Sequence, residues 1–94
     1  MSETQKSIFI TGAASGLGRE VARYFANVGW FVGLADVNEK GLDETAALLP
    51  AGQWSRHRLD VTDRAQWKAA VADFAKHTNG HMTVLFNNAG IGSG

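Results

Sequence analysis

The chain has 94 residues, of which 45% are hydrophobic and 19% charged, a composition typical of one small globular domain rather than a disordered segment. Nine Lys and Arg residues balance nine Asp and Glu residues, so the zero net charge does not favour nucleic acid or a membrane surface as a partner. The sequence has no cysteine, which excludes disulfides and thiolate metal sites and suits a reducing compartment. Because Met1–Ser7 is polar and no long apolar run follows, we expect a cytoplasmic protein without a membrane span.

The first predicted unit is a strand, a turn and a helix. The strand covers Ser7–Thr11, the glycine-rich stretch Gly12–Gly18 forms the turn, and the helix ends near Gly29. Apolar residues recur along this helix at spacings that place them on one face: Leu17, Val21, Phe25 and Val28. We expect this face to pack on the sheet.

A second strand and helix follow. The apolar run Trp30–Ala35 is closed by Asp36, as expected for a buried parallel strand whose carboxyl end opens to a ligand crevice. The next helix is predicted over Asn38–Leu49 and the third strand over Gln53–Leu59. The helix has these residues on one side: Leu42, Thr45 and Leu49.

The last predicted helix begins at Asp63 and ends at Asn79-Gly80, with Thr62 or Asp63 as its N-cap. Its apolar face contains Trp67, Val71 and Phe74. The fourth strand is predicted over Met82–Phe86, and the loop beyond it is Asn87-Asn88-Ala89-Gly90.

Alternation of strands and helices predicts an α/β fold with a parallel sheet and crossover helices. Right-handed crossovers place the first two helices on one face of the sheet and the third helix on the other. The predicted strand order is 3-2-1-4, half of a doubly wound, Rossmann-type sheet, with a nucleotide crevice where the order reverses between the first and fourth strands. The sheet is expected to be truncated after its fourth strand.

The strongest motif is Thr11-Gly12-Ala13-Ala14-Ser15-Gly16-Leu17-Gly18, at a strand-to-helix junction. Gly12 permits a sharp turn, Gly16 lets the backbone approach a pyrophosphate, and Gly18 lets the helix pack closely on the strand. Free amides at the helix start then face the anion. The spacing differs from the Gly-x-Gly-x-x-Gly of the general dinucleotide fingerprint.

From Ser7 to Gly90 the chain resembles the classical short-chain dehydrogenase/reductase family, whose glycine motif is Thr-Gly-x-x-x-Gly-x-Gly. Asp60-Val61 is similar to the family's pair that contacts adenine, and Asn87-Asn88-Ala89-Gly90 matches its motif after the fourth strand. The resemblance implies that this chain is the first part of a single NAD(P)-binding Rossmann domain. It implies cofactor contacts by these residues: Gly12, Ser15, Gly16, Leu17, Gly18, Asp36, Asp60, Val61, Asn88, Ala89 and Gly90.

Three of these assignments have structural alternatives. Thr62 and Asp63, next to Asp60, can equally form a helix-capping cluster. The Asn87-Asn88 pair can satisfy backbone groups at a strand end, and the resemblance implies that one Asn braces the sheet in this way. A glycine-rich turn can also be only a turn.

Asp36 predicts the cofactor, because a carboxylate at the end of the second strand can accept hydrogen bonds from the adenosine ribose hydroxyls and repels a 2′-phosphate. Family members that prefer NADP are usually basic at the positions that Ser15 and Val37 occupy here. We therefore expect NAD to be preferred over NADP. Arg19 is interpreted as a solvated helix residue, with a turn toward a phosphate as the alternative.

The remaining conspicuous residues predict no metal site. Gly80 separates His77 from His81 and so interrupts the helical spacing that a metal would need, and His57 is alone. The tryptophans are interpreted as packing residues: Trp30, Trp54 and Trp67.

The family's catalytic Tyr and the Lys four residues after it have no counterpart here, because the only tyrosine, Tyr24, is followed four residues later by Val28. We therefore expect no catalytic residue in this chain and no activity from the 94 residues alone. The resemblance implies a small alcohol or ketone substrate and a homo-oligomer for the complete enzyme. A non-catalytic dinucleotide-binding module is the alternative. Without further strands, Met82–Phe86 should be an exposed hydrophobic edge, and much of the sheet face that only the Asp63–Thr78 helix covers should be exposed.

Overall fold

The computed structural model describes residues 5–89. Three helices alternate with four strands, as predicted. In chain order the elements are β1 (Ser7–Thr11), α1 (Gly16–Asn27), β2 (Phe31–Asp36), α2 (Glu39–Ala46), β3 (Trp54–Arg58), α3 (Arg64–Thr78) and β4 (Val84–Asn87). Their bounds differ from the predicted ones by a few residues, mainly because β2 and β4 start later and α2 ends at Ala46 in a turn.

The strands form one parallel sheet in the order β3-β2-β1-β4, which confirms the predicted topology. Ile8 of β1 is paired with Val32 of β2 on one side and with Val84 of β4 on the other. The reversal of strand order therefore lies between β1 and β4. This is the Rossmann-like α/β arrangement in which ligands bind beyond the carboxyl ends of the strands.

The core has two layers, one on each face of the sheet. The layer under α1 and α2 contains alternate residues of β1 and β2, namely Ile8, Ile10, Val32 and Leu34. The layer under α3 contains Phe9 of β1, Phe31 and Ala35 of β2, and Phe74 of α3. Since both faces are covered, β1 and β2 are continuous apolar runs rather than alternating ones.

The buried face of α1 differs from the predicted one. Leu17 and Val28 are 58% and 53% exposed, whereas Val21 and Phe25 are half-buried beside the core. The fully buried residues of this helix are the small ones: Gly18, Ala22 and Ala26. The reason is that α1 lies so close to the start of the glycine-rich turn that a Cβ at Gly18 would overlap the backbone there. Large side chains fit only at the flanks of this contact.

The α2 helix packs as predicted, whereas in α3 the buried residues are Ala70 and Phe74, and the predicted Val71 is only partly buried. The α2 residues Leu42 and Thr45 are buried, as is Leu49 in the turn that follows. Phe74 of α3 is buried, and Trp67 packs partly against the same cluster. In β4, Val84 and Leu85 are 38% and 49% exposed, which confirms the expected exposure of that strand. None of the helices within residues 5–89 is both long enough and apolar enough to cross a membrane.

Helix ends follow local hydrogen bonding. Asp63 is the N-cap of α3 and its side chain accepts from the backbone N–H of Gln66, which decides between the two predicted caps. Asn79 ends the helix in the left-handed conformation with φ 55°, followed by Gly80 with φ 82°. The α2 helix is capped in the same way as α3, by the side chain of Asn38.

Candidate cofactor-binding site

All four predicted motifs meet at the carboxyl edge of the sheet. Gly12 follows β1, Asp36 ends β2, Asp60 follows β3 and Asn88 follows β4. Because the strands are parallel, these residues lie along one edge, with Gly12 and Asn88 at the reversal of strand order. The edge is the candidate site.

The three glycines of the turn are glycines for different structural reasons. Gly12 has φ +70°, and a Cβ there would lie 2.7 Å from Asn88 Nδ2 and 3.1 Å from the Ala89 nitrogen. A Cβ at Gly18 would overlap the Gly12 carbonyl oxygen. Gly16 has φ +57°, and a Cβ there would meet nothing within 4 Å. Gly12 and Gly18 are therefore required by packing, whereas Gly16 leaves open space beside the backbone.

The N-terminus of α1 has free donors. Ser15 is the N-cap residue but makes no side-chain capping bond, and the first turn of α1 has no acidic residue. In α2 and α3, by contrast, Asn38 and Asp63 cap the helix. Ser15, Gly16 and Leu17 are exposed. The first backbone N–H groups of a helix have no intrahelical acceptor, so this end fits an anionic group such as a pyrophosphate.

Asp36 is attached to the glycine-rich turn. Its Oδ2 accepts from the backbone N–H of Ala14 at 3.1 Å, and its Oδ1 accepts from the backbone N–H of Asn38 at 3.1 Å. A carboxylate oxygen can accept more than one hydrogen bond, so both oxygens retain capacity for hydroxyl donors. The side chain is half-buried beside the exposed Val37. Asp36 is thus oriented by the backbone on both sides.

Asp60 and its neighbours form a turn before α3. Asp60 Oδ1 accepts from Thr62 N at 2.9 Å and from Thr62 Oγ1 at 2.6 Å. These bonds, with a smaller contribution from a nearby arginine, hold the pKa of the Asp60 carboxyl below its usual value. Val61 is half-buried, and its carbonyl oxygen accepts from Trp67 Nε1 at 2.8 Å. The capping interpretation therefore holds for Asp63, while Thr62 orients Asp60.

The loop after β4 is joined to the end of β1. Thr11 Oγ1 donates to Asn87 Oδ1 at 2.7 Å and accepts from the Ala89 N–H at 3.1 Å. Asn88 Nδ2 donates to the backbone carbonyl that begins the glycine-rich turn, at 3.4 Å. Both asparagines thus brace the strand ends, which confirms the structural role implied for one of them. Gly90 lies outside the described residues.

A family model described as short chain dehydrogenase matches residues 6–94. The chain belongs to the short-chain dehydrogenase family. Its sequence is 41% identical over 88 residues to the uncharacterized oxidoreductase YxbG of Bacillus subtilis, covering 92% of this chain and 32% of that protein. It is 37% identical over 86 residues to meso-2,3-butanediol dehydrogenase of Serratia marcescens, covering 92% of this chain and 34% of that protein. The resemblance found in the motifs is confirmed.

Solved structures agree with the fold. The 3-ketoacyl-(acyl-carrier-protein) reductase from Brucella melitensis, complexed with NADH, has a TM-score of 0.79 and 27% sequence identity, covering 88% of this chain and 34% of that one. A short-chain dehydrogenase from Bacillus anthracis has a TM-score of 0.82 and 26% identity, covering 88% and 34%. This short-chain dehydrogenase chain therefore spans about a third of the length of the relatives it matches.

In this short-chain dehydrogenase chain, Arg19 has neither of the two roles that the sequence suggested. Its Nη2 donates to the Ala14 carbonyl at 2.5 Å and lies 3.3 Å from Glu44 Oε1, while Nε donates to Thr45 Oγ1 at 2.9 Å. The side chain is 25% exposed. Arg19 is thus not a solvated helix residue, and its guanidinium is engaged by Ala14, Glu44 and Thr45 rather than free for a phosphate. Its guanidinium connects α1 to α2 behind the glycine-rich turn.

The sequence suggested that His57 is alone, but the structure gives its side chain two polar partners. Its side chain is 2% exposed; Nε2 lies 2.7 Å from Ser55 Oγ and Nδ1 lies 3.1 Å from Asp73 Oδ2. Burial lowers the pKa of His57, and the carboxylate of Asp73 only partly opposes this. The cluster lies between β3 and α3. Ser55 and His57 are two apart on one strand, a spacing that places both on the same face.

Within residues 5–89 no group of three or more His, Cys, Asp or Glu side chains is placed to hold a metal ion. Trp30 and Trp54 pack against the core layer under α1 and α2, and Trp67 packs against the layer under α3, which confirms their interpretation as packing residues.

Proposed function

We propose that this chain is the NAD-binding part of a short-chain dehydrogenase that oxidises an alcohol or reduces a carbonyl compound. The observation that carries the proposal is the uncapped N-terminus of α1 next to Asp36, whose carboxylate is bonded to the Ala14 N–H of the same turn. Backbone donors for an anion and a carboxylate acceptor for the ribose hydroxyls thus lie side by side. When bound, the nicotinamide supplies or receives the hydride.

The proposed contacts follow from the geometry of the edge. Free amides of the α1 N-terminus, at Gly16 and Leu17, are proposed to hold the pyrophosphate. Asp36 is proposed to accept from the ribose hydroxyls. The full set of proposed cofactor-binding residues is Gly12, Ser15, Gly16, Leu17, Gly18, Asp36, Asp60, Val61, Asn88, Ala89 and Gly90.

NAD is proposed over NADP because the adenosine end of the edge is acidic. A 2′-phosphate would lie against the Asp36 carboxylate, where like charges repel. Neither Ser15 nor Val37 offers a positive charge in return, and Arg19 is engaged with Ala14 and α2.

For the complete enzyme we propose a small alcohol or ketone substrate, a homo-oligomer and a cytoplasmic location. The proton-transfer pair Tyr-x-x-x-Lys has no counterpart among these 94 residues, so we propose that turnover depends on other residues than those present here. The same feature favours a second candidate, a dinucleotide-binding module without turnover. Hydride transfer to any alcohol or ketone by the protein that contains this chain would exclude the second candidate.

Calorimetric titration of the purified chain with NAD tests the proposal, using Asp36→Asn and Asp36→Ala. Asn keeps an acceptor for the Ala14 N–H but loses the charge, whereas Ala loses both. Since hydrogen bonds to charged groups contribute about 1.5–3 kcal/mol, we expect NAD binding to weaken roughly tenfold or more in Asp36→Ala. Glu20→Gln on the exposed face of α1 is the control and should bind NAD as the unmodified chain does.

Two results would contradict the proposal. A chain that unfolds cooperatively but does not bind NAD would remove the cofactor role. NAD binding that is equal in Asp36→Ala and in the unmodified chain would show that the ribose is held elsewhere.

A further inference from the structure

The position next to Asp36 on the neighbouring strand is an arginine. Asp36 of β2 is in register with Arg58 of β3. Neighbouring strands lie about 4.8 Å apart, and paired residues of parallel strands direct their side chains to the same face. The contacts agree, because Asp36 bonds to Ala14 before α1 and Arg58 approaches Glu39 at the start of α2. A cationic side chain therefore stands one strand away from the proposed ribose acceptor.

Glu39 is shared unequally between two arginines. Its Oε1 accepts from Arg56 Nη2 at 3.2 Å, and Arg56 Nε also donates to Asp43 Oδ1 at 2.7 Å. The distance from Arg58 Nε to Glu39 Oε2 is 3.6 Å, longer than a hydrogen bond. The Arg58 side chain is 55% exposed, against 30% for Arg56. Arg58 is thus the loosely held member, attracted by Glu39 but not fixed by it.

Arg58 is also close to the other acidic residue of the edge. The pKa of Asp60 is lowered first by the hydrogen bonds from Thr62, and the charge of Arg58 contributes to the same shift. The ends of β2 and β3 therefore carry the exposed guanidinium of Arg58 near three carboxylates, those of Asp36, Glu39 and Asp60. A guanidinium can bind a phosphate through two parallel hydrogen bonds when no carboxylate competes for it.

We propose that Glu39 and Arg58 form a selectivity pair for the adenosine 2′-position. Glu39 attracts Arg58 away from a 2′-phosphate, so the edge prefers the unphosphorylated ribose of NAD. This role rests on the proposed function. It assigns NAD selectivity to an ion pair outside the glycine motif as well as to Asp36.

The test is competition of NAD and NADP for the full chain, with Glu39→Gln and a matched control, Asp43→Asn. Both changes remove one negative charge from α2, but Asp43 contacts Arg56 and not Arg58. Exposed ion pairs are weak, so we expect Glu39→Gln to raise NADP affinity by up to roughly fivefold while NAD affinity stays unchanged. Asp43→Asn should leave both affinities unchanged. Adding Arg58→Gln to Glu39→Gln should remove the gain, and Arg58→Gln alone should weaken NADP further.

The outcomes separate the two proposals. If the folded chain does not bind NAD, the proposed function fails and the selectivity pair fails with it. If NAD binds and Glu39→Gln leaves NADP affinity unchanged, or Asp43→Asn raises it equally, only the selectivity pair is overturned. A gain that persists with Arg58→Gln would also overturn it, because it would come from charge alone. The exposed positions of these side chains keep the variants folded, which a cooperative thermal transition checks.

Discussion

Gly18→Ala tests how closely α1 approaches the end of β1. A Cβ at Gly18 would overlap the Gly12 carbonyl oxygen and would lie 2.7 Å from the Gly12 carbonyl carbon and 3.0 Å from Ala13 Cα. These neighbours are backbone atoms of the turn, so no side-chain rotation relieves the contact. The substitution must therefore move α1 away from the turn or distort the turn itself.

Two opposing effects determine the magnitude. Alanine is favoured over glycine within a helix by about 1 kcal/mol. Overpacking in a close contact costs about 1–3 kcal/mol, and the rigid backbone partners of Gly18 place this contact at the upper end of that range. We therefore expect Gly18→Ala to lower the free energy of unfolding by about 1–2 kcal/mol. NAD affinity should fall as well, because the displaced helix carries the free amides proposed for the pyrophosphate.

Urea unfolding followed by circular dichroism measures the change, once two-state behaviour has been checked with a second probe. The midpoint should fall by roughly 1 M, given slopes of about 1–3 kcal/mol per molar for small proteins. Asn27→Ala, at the exposed end of the same helix, is the control and should be neutral or slightly stabilising. If Gly18→Ala is as stable as the unmodified chain, or more stable, α1 lies farther from the turn than described and the packing argument is wrong.

Three further outcomes are expected. Thr11→Val should cost about 1–3 kcal/mol in urea unfolding, because the buried hydroxyl bonds to Asn87 and to the loop beyond it; an unchanged midpoint would refute this. Asp63→Ala should lower the free energy of unfolding by about 1 kcal/mol through loss of the α3 N-cap, whereas Asp63→Asn should keep most of the stabilisation that the cap provides. Burial lowers the pKa of His57, so stability should fall as pH drops below about 6.5 through the lower folded-state value, and His57→Gln should flatten that part of a pH series of urea midpoints.

The topology was predictable because the crossovers restrict it. Short apolar strands alternating with helices favour parallel pairing, and with the order β3-β2-β1-β4 right-handed crossovers place α1 and α2 on one face of the sheet and α3 on the other. The positions of Asp36 and Asp60 at the carboxyl edge follow from the same rule. What periodicity could not predict was the buried face of α1, since the spacing of Leu17 and Val28 matches a packing face as well as that of Ala22 does. The deciding fact is the close approach of Gly18 to the turn, which is a tertiary contact.

The hydrogen-bond and ion-pair partners of polar side chains were the other feature that could not be predicted from the sequence. Arg19 lies in an apparently solvated helical position, yet its guanidinium bonds to Thr45, which is distant in the sequence. His57 finds Asp73 from α3, and no local pattern pairs a strand histidine with a helix carboxylate. The conformations of the motif residues were easier to predict, because each depends on a local property of the residue, such as the left-handed φ at Gly12. Long-range polar pairs need the fold first.

The adenosine end of the proposed site and the loop after β4 depend on different parts of the chain. Asp36, Glu39, Arg58 and Asp60 belong to the segments from β2 to the turn after β3, and their side-chain contacts are with residues of those segments or with the glycine-rich turn. Within the described residues, the hydrogen bonds of the end of β4 and the loop after it go to Thr11 and the Gly12 carbonyl, not to these four side chains. Selectivity at the 2′-position should therefore be unaffected by Thr11→Val, even where that change destabilises the chain. The proposed choice of cofactor and the bracing of the ends of β1 and β4 can accordingly vary separately.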